Sequence, residues 1–223
     1  MKPLGVKNYG STPHLQHSKL GKHDKFITHG QHDIIFKKPR KGDLLIVTEK
    51  YDGSNAGVAR INGILVAITR SGHLAKESDF EHYREFARWV DAFQNMFFFL
   101  KEGWRVAGEW MFKQISLSYE IQGQQNVFIA FDIFNDSNKR VLPDVPLFFP
   151  TARVLYEGTD SPNHNRLLAT LRVGSYFAYT PKPEGYVVQV WNNGSFDFQA
   201  KWVREDFEAG VYLNENRLNT IYI

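Results

Sequence analysis

The chain of 223 residues contains no cysteine and has no long apolar run. The lack of cysteine excludes disulfides, thiolate metal sites and thiol catalysis. The longest apolar run, Met96 to Leu100, is far too short to cross a bilayer. Residues 1–25 are polar and basic without an apolar centre, so they do not resemble a signal peptide. We therefore expect a cytoplasmic protein without a membrane partner.

Charge of one sign is also scarce, because 27 Lys and Arg residues against 24 Asp and Glu residues give a net charge of only +3. Aromatic residues, in contrast, are abundant, with 18 Phe, 10 Tyr and 5 Trp. Such rings fill cores, and they also stack on nucleic-acid bases. The composition indicates a globular protein for which nucleic acid is an allowed but not a required partner.

Strand signals occur along most of the chain. Asn62-Gly63 and Asn193-Gly194 each stand between apolar segments and predict tight antiparallel hairpins. The run at 126–134 is nearly continuous in apolar residues, which predicts an interior strand of a sheet. The other predicted strands are three runs within residues 43–70, then residues 104–110, 185–191 and 196–203.

Helix signals fall between these strand groups. A capping box at Ser78–Glu81 precedes apolar residues that recur every three or four positions as far as Leu100. A second helix is predicted at residues 163–171, in a region that also contains a proline-rich loop. Residues 1–42 show little periodicity, so we predict a mostly loop-like leader packed on a domain of residues 43–223. The whole pattern predicts an α+β fold of mostly antiparallel sheets with inserted helices.

Lys50 stands where the apolar run of residues 43–47 gives way to a turn-forming Asp52-Gly53 pair. A lysine amine is a good nucleophile only when it is deprotonated, and burial or nearby cations lower its pKa. A strand end inside a cleft provides such a setting. An isolated lysine at a strand end would instead point into water, so the neighbouring motifs decide between the two interpretations.

Lys50-Tyr51-Asp52-Gly53 matches the pattern Lys-x-Asp-Gly, and further matching stretches follow it in the expected order. With them the sequence resembles the covalent nucleotidyltransferases, which include ATP-dependent RNA and DNA ligases and mRNA capping enzymes. Within this superfamily, its motifs are most similar to those of small RNA ligases of the phage RNA ligase 2 type. The further stretches are Arg70-Ser71-Gly72, Gly108-Glu109-Trp110, Phe131-Asp132-Ile133-Phe134, Glu184-Gly185-Tyr186-Val187-Val188 and Lys201.

The resemblance implies a role for each motif residue. Lys50 would attack the α-phosphate of the nucleotide and hold AMP through a phosphoramidate bond, with Asp52 and Gly53 in the same nucleotide-binding motif. Glu49 would meet the purine edge, largely through its backbone. The other implied contacts are Arg70 with ribose and nucleic acid, Glu109 with ribose hydroxyls, Phe131 with the purine ring, Glu184 with a divalent metal, and Lys201 with the α-phosphate.

The resemblance also implies the wider function. It implies the nucleotidyltransferase (adenylation domain) fold of ATP-grasp-like ligases, with ATP and Mg²⁺ as cofactors and Mn²⁺ as an alternative metal. The implied partner is RNA with 5′-phosphate and 3′-hydroxyl ends, in the host cytoplasm if a phage encodes the chain. Only residues 202–223 follow the last motif, so we expect no C-terminal accessory domain unless a partner chain supplies one.

One departure from the family pattern concerns the last motif. RNA ligases usually have two lysines there, separated by one residue, whereas this chain has Gln199 at the first position. Lys201 alone can then supply that positive charge, unless Arg204 compensates.

Three other interpretations stay open. A DNA ligase or a capping-type nucleotidyltransferase would share the same motif residues. A basic, ring-rich protein that only binds RNA would need neither a metal nor Lys50. A metal site in the leader is a further alternative, although the spacing of its candidate ligands matches no standard zinc pattern: His23, Asp24, His29, His32 and Asp33.

Overall fold

The computed structural model describes residues 2–142, 149–173 and 182–223 of the chain. Within these residues the α-helices are α1 (His29–Phe36), α2 (Glu81–Ala92) and α3 (His164–Arg172). None of the described helices is long and apolar enough to cross a membrane. The strands are β1 (Asp43–Lys50), β2 (Ser54–Ile61), β3 (Ile64–Thr69), β4 (Arg105–Trp110), β5 (Glu120–Gln122), β6 (Phe128–Phe134), β7 (Arg140–Val141), β8 (Val154–Gly158), β9 (Gly185–Asn192), β10 (Ser195–Val203) and β11 (Thr220–Tyr222).

A five-stranded antiparallel sheet has the order β3-β2-β4-β6-β7, and α2 packs against it. The apolar stripe of α2 supplies the fully buried Phe86 and the buried Trp89. Their rings meet Trp110 of β4 and Phe128 of β6 at centroid distances of 5.2 to 5.9 Å. Much of the abundant aromatic content therefore forms one core.

A second antiparallel sheet has the order β10-β9-β1-β8. Side chains alternate along β1, so Leu45 and Val47 are buried on one face. They belong to a core that includes Ile35 of α1 and Leu167 and Leu171 of α3. A short parallel pair, β5 with β11, completes the α+β architecture that the sequence predicts.

Both predicted hairpins are confirmed. β2 and β3 join at Asn62 and Gly63, with φ of 52° and 75°, and β9 and β10 join at Asn193 and Gly194, with φ of 48° and 78°. These left-handed conformations are those that a two-residue hairpin turn requires, and Asn and Gly adopt them most readily. The structure also confirms that β6 has a strand on each side, β4 and β7.

The helix predicted to begin at the Ser78–Glu81 capping box and to continue to Leu100 differs from α2 at both ends. The Ser78 hydroxyl accepts a hydrogen bond from the Phe80 amide instead of capping the helix, and Phe80 is the residue before the first turn. The helix ends at Ala92 because Phe93 leaves helical geometry, and a 3₁₀ turn at Gln94–Phe97 replaces the predicted continuation. Periodic apolar residues describe burial, and burial continues into the 3₁₀ turn.

Other parts of the chain were incompletely predicted. The helix of residues 163–171 is confirmed as α3, but α1 was not predicted, although Thr28 and Gln31 form its capping box. The short strands β5, β7, β8 and β11 carry weak local patterns and were also missed. Residues 143–148 of the predicted proline-rich loop lie outside the described residues.

Phe86→Ala should lower the free energy of unfolding by about 3–5 kcal/mol, because it removes a fully buried ring and leaves a cavity. Phe98→Ala is the matched control, since Phe98 is 63% exposed and should change stability by less than about 0.5 kcal/mol. Urea unfolding of both variants measures the difference. Equal losses would contradict the assignment of the α2 face to the core.

Candidate active site

Lys50 is the last residue of β1 and lies on the half-buried face of that strand. β1 pairs with β9 so that Lys50 is opposite Gly185. This register brings the Lys50 Nζ to 2.7 Å from Oε2 of Glu184, the residue that precedes β9. Strand pairing therefore joins two motifs that are far apart in sequence.

Gly185 also allows β10 to approach this junction. A Cβ at position 185 would lie 1.9 Å from the carbonyl oxygen of Trp202, a separation that no side chain can occupy. Residue 185 must therefore be glycine for β9 and β10 to pair here and for Glu184 to stay beside Lys50.

Asp52 and Gly53 hold the turn that follows Lys50. Oδ2 of Asp52 accepts hydrogen bonds from the backbone N–H groups of Ser116 and Leu117, at 2.6 and 2.9 Å. Gly53 packs so closely that a Cβ would lie 2.7 Å from the sulfur of Met111. The pair anchors a neighbouring loop and keeps the backbone around Lys50 in place.

A cavity of about 1190 Å³ opens beside Lys50, with walls from both larger sheets and from the leader. Asp52 and Glu184 do not line this cavity; Glu184 reaches it through its contact with Lys50. The other predicted site residues all line it: Glu49, Lys50, Gly53, Arg70, Glu109, Phe131 and Lys201.

Carboxylates control the charge of Lys50. Burial opposes protonation of Lys50, but Glu184 and Glu109 outweigh it and raise the lysine pKa above its ordinary value. Burial also raises the pKa of Glu109 to about 8, although Lys50 acts in the opposite direction. Oε2 of Glu109 is buried and makes no hydrogen bond with any residue that the structure describes. The site thus holds a protonated lysine beside a carboxyl group with spare bonding capacity.

The carboxylate of Glu49 pairs with Arg153. It is buried, and its Oε2 lies 3.3 Å from Nε of Arg153. The Glu49 N–H donates to the Arg153 carbonyl oxygen at 2.9 Å. Both the carboxylate and the N–H of Glu49 therefore contact Arg153.

Two cations and an aromatic ring face the same cavity. Arg70 is exposed at the turn after β3, and Phe131 is half-buried on β6. Lys201 lies on β10 with its Nζ 3.8 Å from Oδ1 of Asp24, while burial and the nearby Lys50 lower its pKa. The cavity therefore offers positive charge for an anion and a ring for a flat group.

The leader contributes residues that the sequence interpretation missed. Tyr9, Gly10 and Thr12 line the cavity. The Leu15 N–H donates to the Lys201 carbonyl oxygen at 2.8 Å, and the Lys201 N–H donates to that of Pro13 at 2.9 Å. Nothing local to the segment Thr12-Pro13-His14-Leu15 indicates pairing along β10.

Gln199 and Arg204 do not restore the second cation of the last motif. Nε2 of Gln199 donates to the hydroxyl groups of Tyr9 and Thr12, at 2.9 and 2.6 Å. Arg204 donates to a backbone carbonyl and pairs with Asp206 at 2.8 Å, and it does not line the described cavity. The expectation that Arg204 replaces the positive charge missing at Gln199 is therefore wrong.

The residues that the structure describes contain no group of three or more His, Asp or Glu side chains arranged to hold a metal ion. In the leader, Nδ1 of His29 lies 2.8 Å from Nε2 of Gln16, and Nδ1 of His32 lies 3.7 Å from Oδ1 of Asp33. Mg²⁺ commonly binds one or two carboxylates together with substrate phosphates and water. Glu184 fits that smaller requirement.

Glu109→Gln should make thermal stability less dependent on pH. The carboxyl ionises near pH 8 in the folded chain but at about 4.5 when unfolded, so the folded protein binds more protons and loses stability as pH rises between these values. Melting temperatures at about pH 6 and about pH 9 should fall more in the wild type than in the variant. Parallel curves for the two proteins would contradict the raised pKa.

The family model described as RNA ligase matches residues 43–203. Among solved structures, the Naegleria gruberi RNA ligase with PPi is 19% identical with a TM-score of 0.47, and an archaeal ATP-dependent RNA ligase is 17% identical with a TM-score of 0.42. The alignments cover 78% and 72% of this chain, and 52% and 42% of those chains.

This chain therefore spans about half the length of the solved structures that it matches. A comparison with curated protein sequences returned no significant match. The family match extends from the first residue of β1 to the last residue of β10, so it includes both strands that frame the Lys50 and Glu184 contact. On this match, the chain belongs to the RNA ligase family.

Proposed function

We propose that this protein is an ATP-dependent RNA ligase in which Lys50 forms a covalent bond to AMP. The observation that carries the proposal is the partly buried contact between Lys50 and Glu184, at 2.7 Å, beside a large cavity in a chain of the RNA ligase family. Lys50, the first residue of the Lys-x-Asp-Gly motif, makes this contact. We place the chain with the phage RNA ligase 2 type on the same motifs.

The proposed reaction has three phosphoryl-transfer steps. The neutral Lys50 amine attacks the α-phosphorus of ATP, the N–P bond forms, and the bond to the bridging oxygen breaks so that pyrophosphate leaves. An RNA 5′-phosphate then attacks the AMP phosphorus, which frees Lys50 and leaves an adenylated RNA end. Finally an RNA 3′-hydroxyl attacks that end, forms the phosphodiester bond and expels AMP.

Positioning and charge neutralisation supply most of the catalysis in such transfers. We assign the α-phosphate to Lys201 and the ribose and RNA side to Arg70, because both cations face the cavity. Glu109 would accept hydrogen bonds from ribose hydroxyls through its free oxygen. Phe131 would stack on adenine, and the backbone of Glu49 would meet the purine edge.

Lys50 must lose its proton before it attacks. The Glu184 carboxylate, 2.7 Å from the Lys50 Nζ, stabilises the ammonium form. Mg²⁺ or Mn²⁺ bound to Glu184 would supply positive charge there and lower the Lys50 pKa toward neutrality. The proposed function therefore assigns Glu184 two partners, the lysine in the free protein and the metal with ATP.

Incubation of the wild-type protein with ATP and Mg²⁺ should add one AMP to its intact mass. Lys50→Ala should add none, and Lys50→Arg should also add none because a guanidinium stays protonated and cannot act as the nucleophile. Lys113→Ala is the matched control, since Lys113 is another lysine of the cavity and should not be needed for AMP loading. Intact-protein mass spectrometry measures all four proteins. An AMP adduct on Lys50→Ala would contradict the proposal.

Sealing of nicked duplexes should separate the related activities. The proposal predicts joining of RNA strands with 5′-phosphate and 3′-hydroxyl ends at least tenfold faster than joining of DNA strands, measured by gel electrophoresis with ATP and Mg²⁺. Faster joining of DNA would indicate a DNA ligase, and a GMP adduct without joining would indicate a capping-type enzyme. RNA binding with no adduct would indicate a non-catalytic binding protein.

A further inference from the structure

The leader is seated in a fitted slot of the five-stranded sheet. Asn8 is fully buried, and its N–H donates to the Arg70 carbonyl oxygen at 3.1 Å. A Cβ at Gly57 would lie 2.4 Å from the Asn8 side-chain oxygen, and one at Gly72 would lie 2.1 Å from the carbonyl oxygen of Val6. Two glycines therefore make the space that this part of the leader occupies.

This seating places Tyr9 against the aromatic wall of the cavity. Its ring meets Phe131 edge to face, with centroids 4.9 Å apart and planes at 71°. The Arg140 guanidinium lies 5.2 Å from the centre of the Tyr9 ring, on the side of β7. Tyr9 thus restricts the orientation of Phe131, which is itself only half-buried.

The hydroxyl end of Tyr9 is held by Gln199. Gln199 is 7% exposed, and its amide donates to the hydroxyl groups of both Tyr9 and Thr12. An amide has both donors and an acceptor, whereas a lysine has no acceptor. Gln199 can therefore also accept from the Tyr9 hydroxyl, whose oxygen lies 3.1 Å from Oε1, and a lysine at this position could not.

We propose that Tyr9 is a positioning residue for the purine of ATP, because it holds the Phe131 ring in the orientation that stacks on the base and is itself held by Gln199. This inference rests on the proposed function. It assigns to the leader a part of nucleotide recognition that concerns the base and not the phosphates.

Binding of two probes by the wild-type protein and its variants tests the inference. α,β-Methylene-ATP carries the base but resists cleavage by Lys50, and tripolyphosphate carries the phosphates alone. With Mg²⁺ present, Tyr9→Leu should weaken binding of α,β-methylene-ATP about three- to tenfold, the range expected for loss of one aromatic pair. Tripolyphosphate affinity should change less than about twofold. Isothermal titration calorimetry measures both affinities.

Three further variants separate positioning from a general structural role. Tyr9→Phe keeps the edge-to-face contact but loses the hydrogen bonds to Gln199, so it should weaken binding of α,β-methylene-ATP less than Tyr9→Leu does. Tyr9→Leu added to Phe131→Leu should cause no further loss, because the two residues act through one contact. Phe26→Leu is the matched control, since Phe26 is an aromatic residue of the leader that is 48% exposed and does not line the cavity.

Wild-type affinity for α,β-methylene-ATP in Tyr9→Leu, or an equal loss for both probes, would overturn the inference and leave the proposed function standing. Additive losses in the double variant would overturn it as well. If the wild type itself binds no α,β-methylene-ATP, the proposed function fails together with the inference. Circular dichroism checks that Tyr9→Leu is folded, and Tyr9→Met takes its place if it is not.

Discussion

The half-buried charge of Lys50 is the constraint on which the rest of the site depends. An ammonium at the end of an apolar strand is costly unless a carboxylate lies beside it, and Glu184 provides that partner at 2.7 Å. The contact requires β1 and β9 to pair in one register and β10 to approach closely at Gly185. The chemistry of one lysine is thus tied to the geometry of a whole sheet.

The same constraint sets the protonation state of Lys50. Carboxylates that stabilise the Lys50 ammonium also prevent it from acting as a nucleophile. Glu109 has a raised pKa, and its Oε2 makes no hydrogen bond with the described residues. Both features favour a site that is completed by a ligand with hydroxyl groups, phosphates and an associated cation, which is the kind of ligand that we propose.

The structure brings most of the motif residues to one cavity, whereas local patterns predicted the surrounding elements incompletely. Asn62-Gly63 and Asn193-Gly194 specify their turns through backbone conformation, and the structure confirms both hairpins. The contact between Tyr9 and Phe131 could not be predicted in this way, because the position of Tyr9 depends on glycines and strands far along the chain. The prediction that the helix continues to Leu100 was wrong for a related reason. Apolar periodicity indicates burial, but it does not indicate the hydrogen bonding of the backbone.

The central claim is that Lys50, and no other lysine of the cavity, carries AMP. Lys201 and Lys113 also line the cavity, so an adduct on the intact chain does not by itself identify the nucleophile. Tandem mass spectrometry of peptides from protein loaded with AMP, handled at alkaline pH to preserve the N–P bond, identifies the modified residue. We predict AMP on the peptide that contains Lys50, and AMP on Lys201 or Lys113 would contradict the account.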